Sequence, residues 1–452
     1  MPDTSFITAN QPEFRKLVEQ SLEISRRIGA TDAVAEVSES QGLAVSVRHG
    51  AVETVEQNRD RGLTITVFVG QRRGSASTSD FSAQAIEDTV RAAWHIARHT
   101  AEDPAAGLPD PEDLLFETPP DLDLYHPWSI DSDAAVEIAL RTERAAFDAN
   151  PAITNSEGAS VSSHAGHFVL GNTRGFLAGY PYSRHTISVV PIAGQGDGMQ
   201  RDAWYTTHRN PARLDAPEAV GRYAAERAVA RLSARRIRTG RYPVLFEAPV
   251  ACGLLGSFTQ AISGGALYRR TSFLLDSLGT QVFPDHIDIH EDPHLPQELG
   301  SAPFDDEGVR TRPRMLVENG VVRGYLLSTY TARKLGMRTT GNAGGSHNLT
   351  LTSRLSGPGD DFAGMLKKLD RGLVVTELIG QGVNYVTGDY SRGAFGYWVE
   401  NGVIQHAVQE ITIAGNLRDM FRGIVGVGRD VIVRGTKRTG SILINEMAVA
   451  GE

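Results

Sequence analysis

Apolar positions change period several times along the first hundred residues. Phe14, Leu17, Val18, Leu22 and Ile28 fall largely on one helical face, and Gly29 follows as a stop, so the spacing predicts a helix ending there. Four short runs of strand character come next: Ala33 to Glu39, Leu43 to His49, Val52 to Gln57 and Leu63 to Val69. Val45 and Val47 alternate with polar neighbours, as do Leu63, Ile65, Val67 and Val69, which is the two-residue period of a half-buried strand. Gly50, Gly62 and Gly70 punctuate these runs as the turns of an antiparallel meander. From Ser82 the period returns to helical, with Ile86, Val90, Ala93 and Ala97 on one stripe. The expectation is a helix–sheet–helix layer of α+β type.

Between Ala101 and Trp128 the chain turns acidic and carries Pro104, Pro109, Pro111, Pro119, Pro120 and Pro127, the composition of a linker or boundary. A middle segment then predicts a helix from Asp131 to Asn150, strands from Ile153 to Tyr205, and a helix from Pro217 to Ile237. From Thr239 glycine and β-type residues dominate, predicting a larger, mainly antiparallel β domain. The expected division is an N-terminal α+β domain over residues 1–105, a linker and middle α+β segment over 106–238, and a C-terminal β domain over 239–452. One pattern recurs: Val317-Glu318-Asn319-Gly320-Val321-Val322 returns as Val399-Glu400-Asn401-Gly402-Val403-Ile404. Asn-Gly between β-branched residues is a strong hairpin signal, because both central positions tolerate positive φ.

Composition narrows the function classes. The net charge is −9 with no long run of Lys or Arg, which argues against direct nucleic-acid contact. The short basic cluster from Arg231 to Arg241 closes a predicted helix, where positive charge complements the helix dipole. No segment has the ~18 uninterrupted apolar residues of a membrane span, and Met1 to Gln11 lacks the pattern of a secretory leader. Cys252 is the only cysteine, which fits a reducing, cytoplasmic setting.

Candidate chemistry starts with His290-Glu291-Asp292-Pro293-His294, which resembles a zinc-protease signature. That signature needs a helix, and Pro293 and the nearby Pro284 and Pro296 argue instead for a loop. From a loop, His286, His290 and His294 would need Asp285 or Asp288 to hold a metal, and a hydrolase acting through His290 and His294 is an alternative on that basis. The segment Ser301 to Gly308 carries Asp305, Asp306 and Glu307 in succession, but calcium loops space their ligands at alternate positions, so a turn with a buried Phe304 is expected. The run from Thr339 to Asn348 is Gly-rich and polar without a phosphate-binding pattern. Cys252 lies among small apolar residues, where a thiol is buried and inert.

A resemblance adds what the residues alone do not. Ser263-Gly264-Gly265-Ala266-Leu267-Tyr268-Arg269, Glu291 to Pro296, Gly300 to Gly308, Gly324-Tyr325-Leu326-Leu327-Ser328, Thr340 to Gly345, Gly388 to Gly393, Ile411 to Leu417 and Arg438 to Ile444 occur in order. This series resembles the TldD/PmbA family, also labelled modulators of DNA gyrase, in its PmbA (TldE) branch. The resemblance implies a cytoplasmic subunit of a heteromeric metallopeptidase that acts on unfolded or leader-type peptides together with a TldD-like subunit. In TldD subunits a His-Glu-x-x-x-His helix and a late Cys-Gly-Lys segment build the metal site. Here Glu247 and Cys252 stand where the two histidines would be, Ala248 stands for the Glu, and Arg434 to Gly440 has no cysteine. The resemblance therefore implies that this chain binds no metal and has no catalytic residue of its own, zinc residing in the partner. It leaves Gly344, Gly345 and Asn348 as candidate residues of a peptide cleft or partner-facing loop, on loop character alone. A homodimer is the default for the isolated chain. The alternative function is a non-enzymatic regulator binding DNA gyrase or a toxin–antitoxin component.

Overall fold

A computed structural model describes residues 5–452. They cluster into two compact units, one of residues 5–229, 295–311 and 328–343, the other of 230–294, 312–327 and 344–452. The architecture is α+β with antiparallel sheets, as the periodicity implied.

The first unit is built on one eight-stranded antiparallel sheet. Its strands are β1 (Asp32–Arg48), β2 (Ala51–Val69), β3 (Arg72–Thr78), β4 (Ile153–Asn172), β5 (Leu177–Ala178), β6 (Pro181–Ala193), β7 (Gln200–Arg201) and β8 (Trp204–His208). The order is β3-β2-β1-β4-β6-β7, with β5 on β4 and β8 on β6. Helices α1 (Ser5–Arg27) and α2 (Ala83–His99) pack on β1, β2, β3 and β4, and α3 (Ser132–Ala149) on β4, β1 and β6. The predicted faces are the buried ones: Phe14, Leu17, Val18 and Leu22 of α1 meet Ile86, Val90 and Ala93 of α2 over Ala33, Ala35, Val37, Leu63, Ile65 and Val67. Ser82 caps α2 by accepting from the Ala85 N–H.

Two expectations need correction. The four short runs are two long strands, because Gly42 and Gly62 lie inside β1 and β2 and only His49-Gly50 and Gly70-Gln71 turn the chain. A Cβ at position 42 would sit 2.4 Å from the Asn58 Oδ1, so that glycine serves a close cross-strand approach. The Pro-rich stretch after Ala101 is no free tether, since Leu108, Leu114, Leu115, Leu122 and Leu124 are buried and Leu114 bridges Val309. The single sheet also runs across the 105/106 boundary, because β1 pairs with β2 on one side and β4 on the other.

Helix α4 (Pro217–Ala230) ends earlier than expected, with Ser233 turning the chain at a φ of 58°. The basic cluster is therefore not a helix terminus. In the second unit Arg231 instead pairs with Glu377 at 2.5 Å, its guanidinium 3.8 Å from the Phe395 ring centroid.

The second unit holds two six-stranded sheets. One contains β10 (Ile287–Asp292), β11 (Arg314–Glu318), β12 (Val321–Val322), β13 (Asn348–Ser353), β18 (Ile432–Arg434) and β19 (Lys437–Thr439) in the order β12-β11-β10-β13-β19-β18. The other contains β9 (Gly240–Phe246), β14 (Gly372–Ile379), β15 (Asp389–Glu400), β16 (Val403–Asn416), β17 (Ile424–Val427) and β20 (Ile442–Ala450) in the order β16-β15-β14-β9-β20-β17. Only β13–β19 and β14–β9 run parallel. Both Asn-Gly repeats are hairpin turns, with Asn319 and Gly320 at φ of 50° and 76° and Asn401 and Gly402 at 53° and 71°.

The His49-Gly50 turn is held from α3: both N–H groups donate to the buried Glu143 carboxylate, at 3.0 and 2.9 Å. Glu143→Ala is expected to lower the stability of the protein by about 1–2 kcal/mol, read as a shift of the urea midpoint at unchanged slope.

Candidate functional site

In the second unit the segment that the resemblance sets against the metal helix is expected to be α5 (Ala248–Ala261), which follows β9 with only Glu247 between. The Glu247 N–H still belongs to the sheet, donating to the Val375 carbonyl at 3.0 Å, while its carbonyl already accepts from Val250 and Ala251. Glu247 is thus the N-cap, at φ −54° and ψ 146°, and lies off the helix. Cys252 is a full turn into α5, 4% exposed, with Sγ 3.8 Å from the Lys437 carbonyl oxygen of β19. Burial pushes its thiol pKa up, against the pull of Arg434 and Lys437.

These residues do not fit a hydrolytic metal. A thiol ligates as the thiolate, which burial disfavours here. Ala248 supplies no base. Among the described residues no group of three or more His, Cys, Asp or Glu could hold a metal ion.

The zinc-like string is elsewhere in the unit, and it is not a loop. Ile287–Asp292 is β10, paired with β11 and β13. Pro284 and Pro293 flank the strand instead of dissolving it, and Ile287, Ile289 and Glu291 face inward. Glu291, 1% exposed, is the centre of a polar network. Its Oε2 accepts from the Arg314 Nε at 2.8 Å and its Oε1 from the His347 N–H at 2.9 Å, while the Arg314 Nη2 donates to the Tyr325 carbonyl. His286 bonds Ser353 at 2.8 Å, the Asp288 carboxylate accepts from the Asn319 N–H, and burial lowers the pKa of His294.

The Gly-rich run meets this network. Gly344 and Gly345 are exposed, at φ of 98° and 121°, and a Cβ on Gly345 would touch nothing within 4 Å. Asn348 is different: it is 7% exposed, begins β13 opposite Asp292, and its side-chain amide donates to the Asp292 carbonyl at 2.8 Å. The exposed glycines are thus anchored from behind by Glu291 and Asp292, two residues of the zinc-like string.

The other acidic motif lies in the first unit, where Phe304 packs with Leu115, Phe176 and Leu170, the buried turn expected. Asp305, 3% exposed, holds that turn: its Oδ1 accepts from the Glu307 and Val309 N–H groups and its Oδ2 from the Ala343 N–H, all at 2.9 Å. Burial, with the neighbouring Glu307 charge, pushes its pKa up to about 8, against those three donors. Asp306 and Glu307 border a cavity of about 530 Å³ that Glu36, Arg73 and Tyr330 also line.

Comparison with known proteins decides the family. Residues 239–451 match the PmbA/TldA metallopeptidase C-terminal domain, 125–232 its central domain and 33–97 its domain 1. Metalloprotease PmbA of Escherichia coli O157:H7 is 50% identical over 97% of both chains. The chain belongs to the PmbA/TldD metallopeptidase family. A Haemophilus influenzae PmbA homolog is 46% identical over 99% of this chain and 98% of its own. A Bacteroides thetaiotaomicron crystal structure described as a modulator of DNA gyrase superposes with a TM-score of 0.92 at 25% identity, over 98% of this chain and all of that one. TldE of Thermococcus kodakarensis shares the fold, with a TM-score of 0.85 at 20% identity over 96% of this chain. The three matched segments of this PmbA/TldD chain follow the linear division of the sequence, whereas its three-dimensional clustering draws 295–311 and 328–343 into the first unit.

Two measurements test the buried carboxylates. Glu291→Ala leaves Arg314 and the His347 N–H without their acceptor and is expected to cost about 3 kcal/mol, read by urea denaturation. For Asp305, a folded pKa above the unfolded value means stability is full below about pH 4 and falls as pH rises toward 8. Asp305→Asn keeps Oδ1 as acceptor, and a flatter urea midpoint between these pH values is expected in that variant.

Proposed function

We propose that this chain is the metal-free subunit of a heteromeric, cytoplasmic TldD-type metallopeptidase, in which a TldD-like partner carries the zinc and the hydrolytic step. The supporting observation is the start of α5. Glu247 caps the helix with its N–H bound into the sheet, Ala248 stands at the base position, and Cys252 is buried against Lys437. A metal site that hydrolyses a peptide bond needs ligands converging on one point and a base beside the bound water.

The contribution of this chain is to shape where the peptide lies. Its substrate class is unfolded or leader-type peptides, which can be held as an added strand by main-chain hydrogen bonds irrespective of sequence. The exposed backbone at Gly344 and Gly345 is the candidate contact, with Glu291, Arg314 and His347 holding it in place. Side-chain recognition is not assigned to Asn348, whose amide is engaged with Asp292.

The test is reconstitution. The purified chain alone is expected to leave an unstructured peptide intact, and its melting temperature is expected to be unmoved by a zinc chelator. Addition of a TldD-like subunit is expected to produce cleavage that the chelator abolishes. Chelator-sensitive cleavage by this chain alone would overturn the assignment.

A further inference from the structure

The cavity of about 530 Å³ in the first unit has the sheet as its floor and the stretch after Ala101 as a wall. Val34, Glu36, Thr66, Phe68, Arg73 and Leu170 reach it from β1, β2, β3 and β4. They lie on the face opposite Ala35, Ile65 and Val67, which α1 and α2 cover. Leu108 and Pro109 close it from the Pro-rich side. The volume is that of a small-molecule site, and the lining mixes apolar surface with a few charges.

Most of those charges are engaged within the protein. Asp103 accepts from the Lys334 Nζ and from the Tyr330 hydroxyl, both at 2.7 Å, and the Glu307 Oε2 accepts from the Thr329 N–H at 2.8 Å. Glu36 and Arg73 are different. They carry opposite charge and line one cavity, yet neither side chain makes a hydrogen bond or ion pair with another described residue. The sheet register keeps them apart. Glu36 lies opposite Thr64, and Thr64 opposite Ser77, four residues along β3 from Arg73. Two strand spacings across and four residues along set the two backbones roughly 16 Å apart, beyond direct pairing of the side chains. Burial and the charge of Asp306 hold the Glu36 pKa above its ordinary value, an effect that a cation beside the carboxylate reverses.

We propose that this cavity binds a short free peptide, its terminal ammonium at Glu36 with Asp306 nearby and its terminal carboxylate at Arg73. A guanidinium takes a carboxylate through two parallel hydrogen bonds, which suits Arg73 to the acidic end. The separation sets the length: with both side chains leaning inward, the gap fits roughly three residues at about 3.4 Å each. A single amino acid carries its two charges too close together to reach both groups. Between the ends, Val34, Phe68, Leu108 and Leu170 offer apolar contact to small side chains. The site belongs to the first unit and α5 to the second, so the proposal does not depend on the metal-free assignment.

The experiment is isothermal titration calorimetry of the full chain with trialanine, a chelator being present so that metal-dependent cleavage adds no heat. Saturable binding is expected, and none for alanine. Acetylation of the ammonium or amidation of the carboxylate is expected to weaken binding about tenfold, the loss of one charge-assisted contact. Glu36→Gln is expected to weaken trialanine to the same extent and to erase its advantage over the acetylated peptide, while the amide still binds worse. Arg73→Gln is expected to show the converse. A folding defect does not produce that crossed pattern. Absence of binding at millimolar peptide overturns the proposal, as does equal binding of free and blocked peptides. Sensitivity to Glu36 alone, which marks a site for a bare cation, also overturns it, and so does binding indifferent to both changes.

Discussion

The Glu247 N–H cannot serve two structures at once. It is committed to β14, donating to the Val375 carbonyl, and this extends β9 by one residue before α5 begins. The Glu247 carboxylate is therefore carried on a cap residue, outside the helical register. From there α5 runs with Ala251, Cys252, Leu254, Leu255 and Phe258 turned inward, so its buried face is apolar. Transfer of a charged metal site onto that face would require desolvated ligands that this chain does not supply.

Three buried carboxylates elsewhere follow the opposite rule: each is surrounded by donors and each fixes a turn or a strand end. Glu143 holds the β1–β2 turn, Asp305 holds the turn after Phe304, and Glu291 ties β10 to Arg314 and to the start of β13. They differ in the charge beside them. Glu291 has a guanidinium at 2.8 Å, whereas Asp305 has only backbone N–H groups and another carboxylate. That contrast explains why one is a salt-bridged anchor and the other retains its proton well above the ordinary carboxylate range.

Local signals in the sequence were read well where the structure is local. The faces of α1 and α2, the start of α2 at Ser82 and both Asn-Gly hairpins follow from spacing and turn chemistry alone. Glycine and proline misled where they act at a distance. Gly62 looked like a turn but sits within β2, and Pro284 and Pro293 looked like loop markers but flank β10. The partners of Glu291 lie 23 and 56 residues away, so nothing near His290 or His294 revealed that the central Glu is the structural residue of that string. The same holds for Asn348, whose side chain is tied to a carbonyl 56 residues earlier.

The account rests on α5 being the scaffold of a subunit and not of a metal centre. Elemental analysis by mass spectrometry of the purified full chain, after exchange into chelator-free buffer containing zinc, tests this most directly. The account predicts far less than one zinc per chain. One tightly held zinc per chain, lost in a Cys252→Ala variant that still folds, would contradict it.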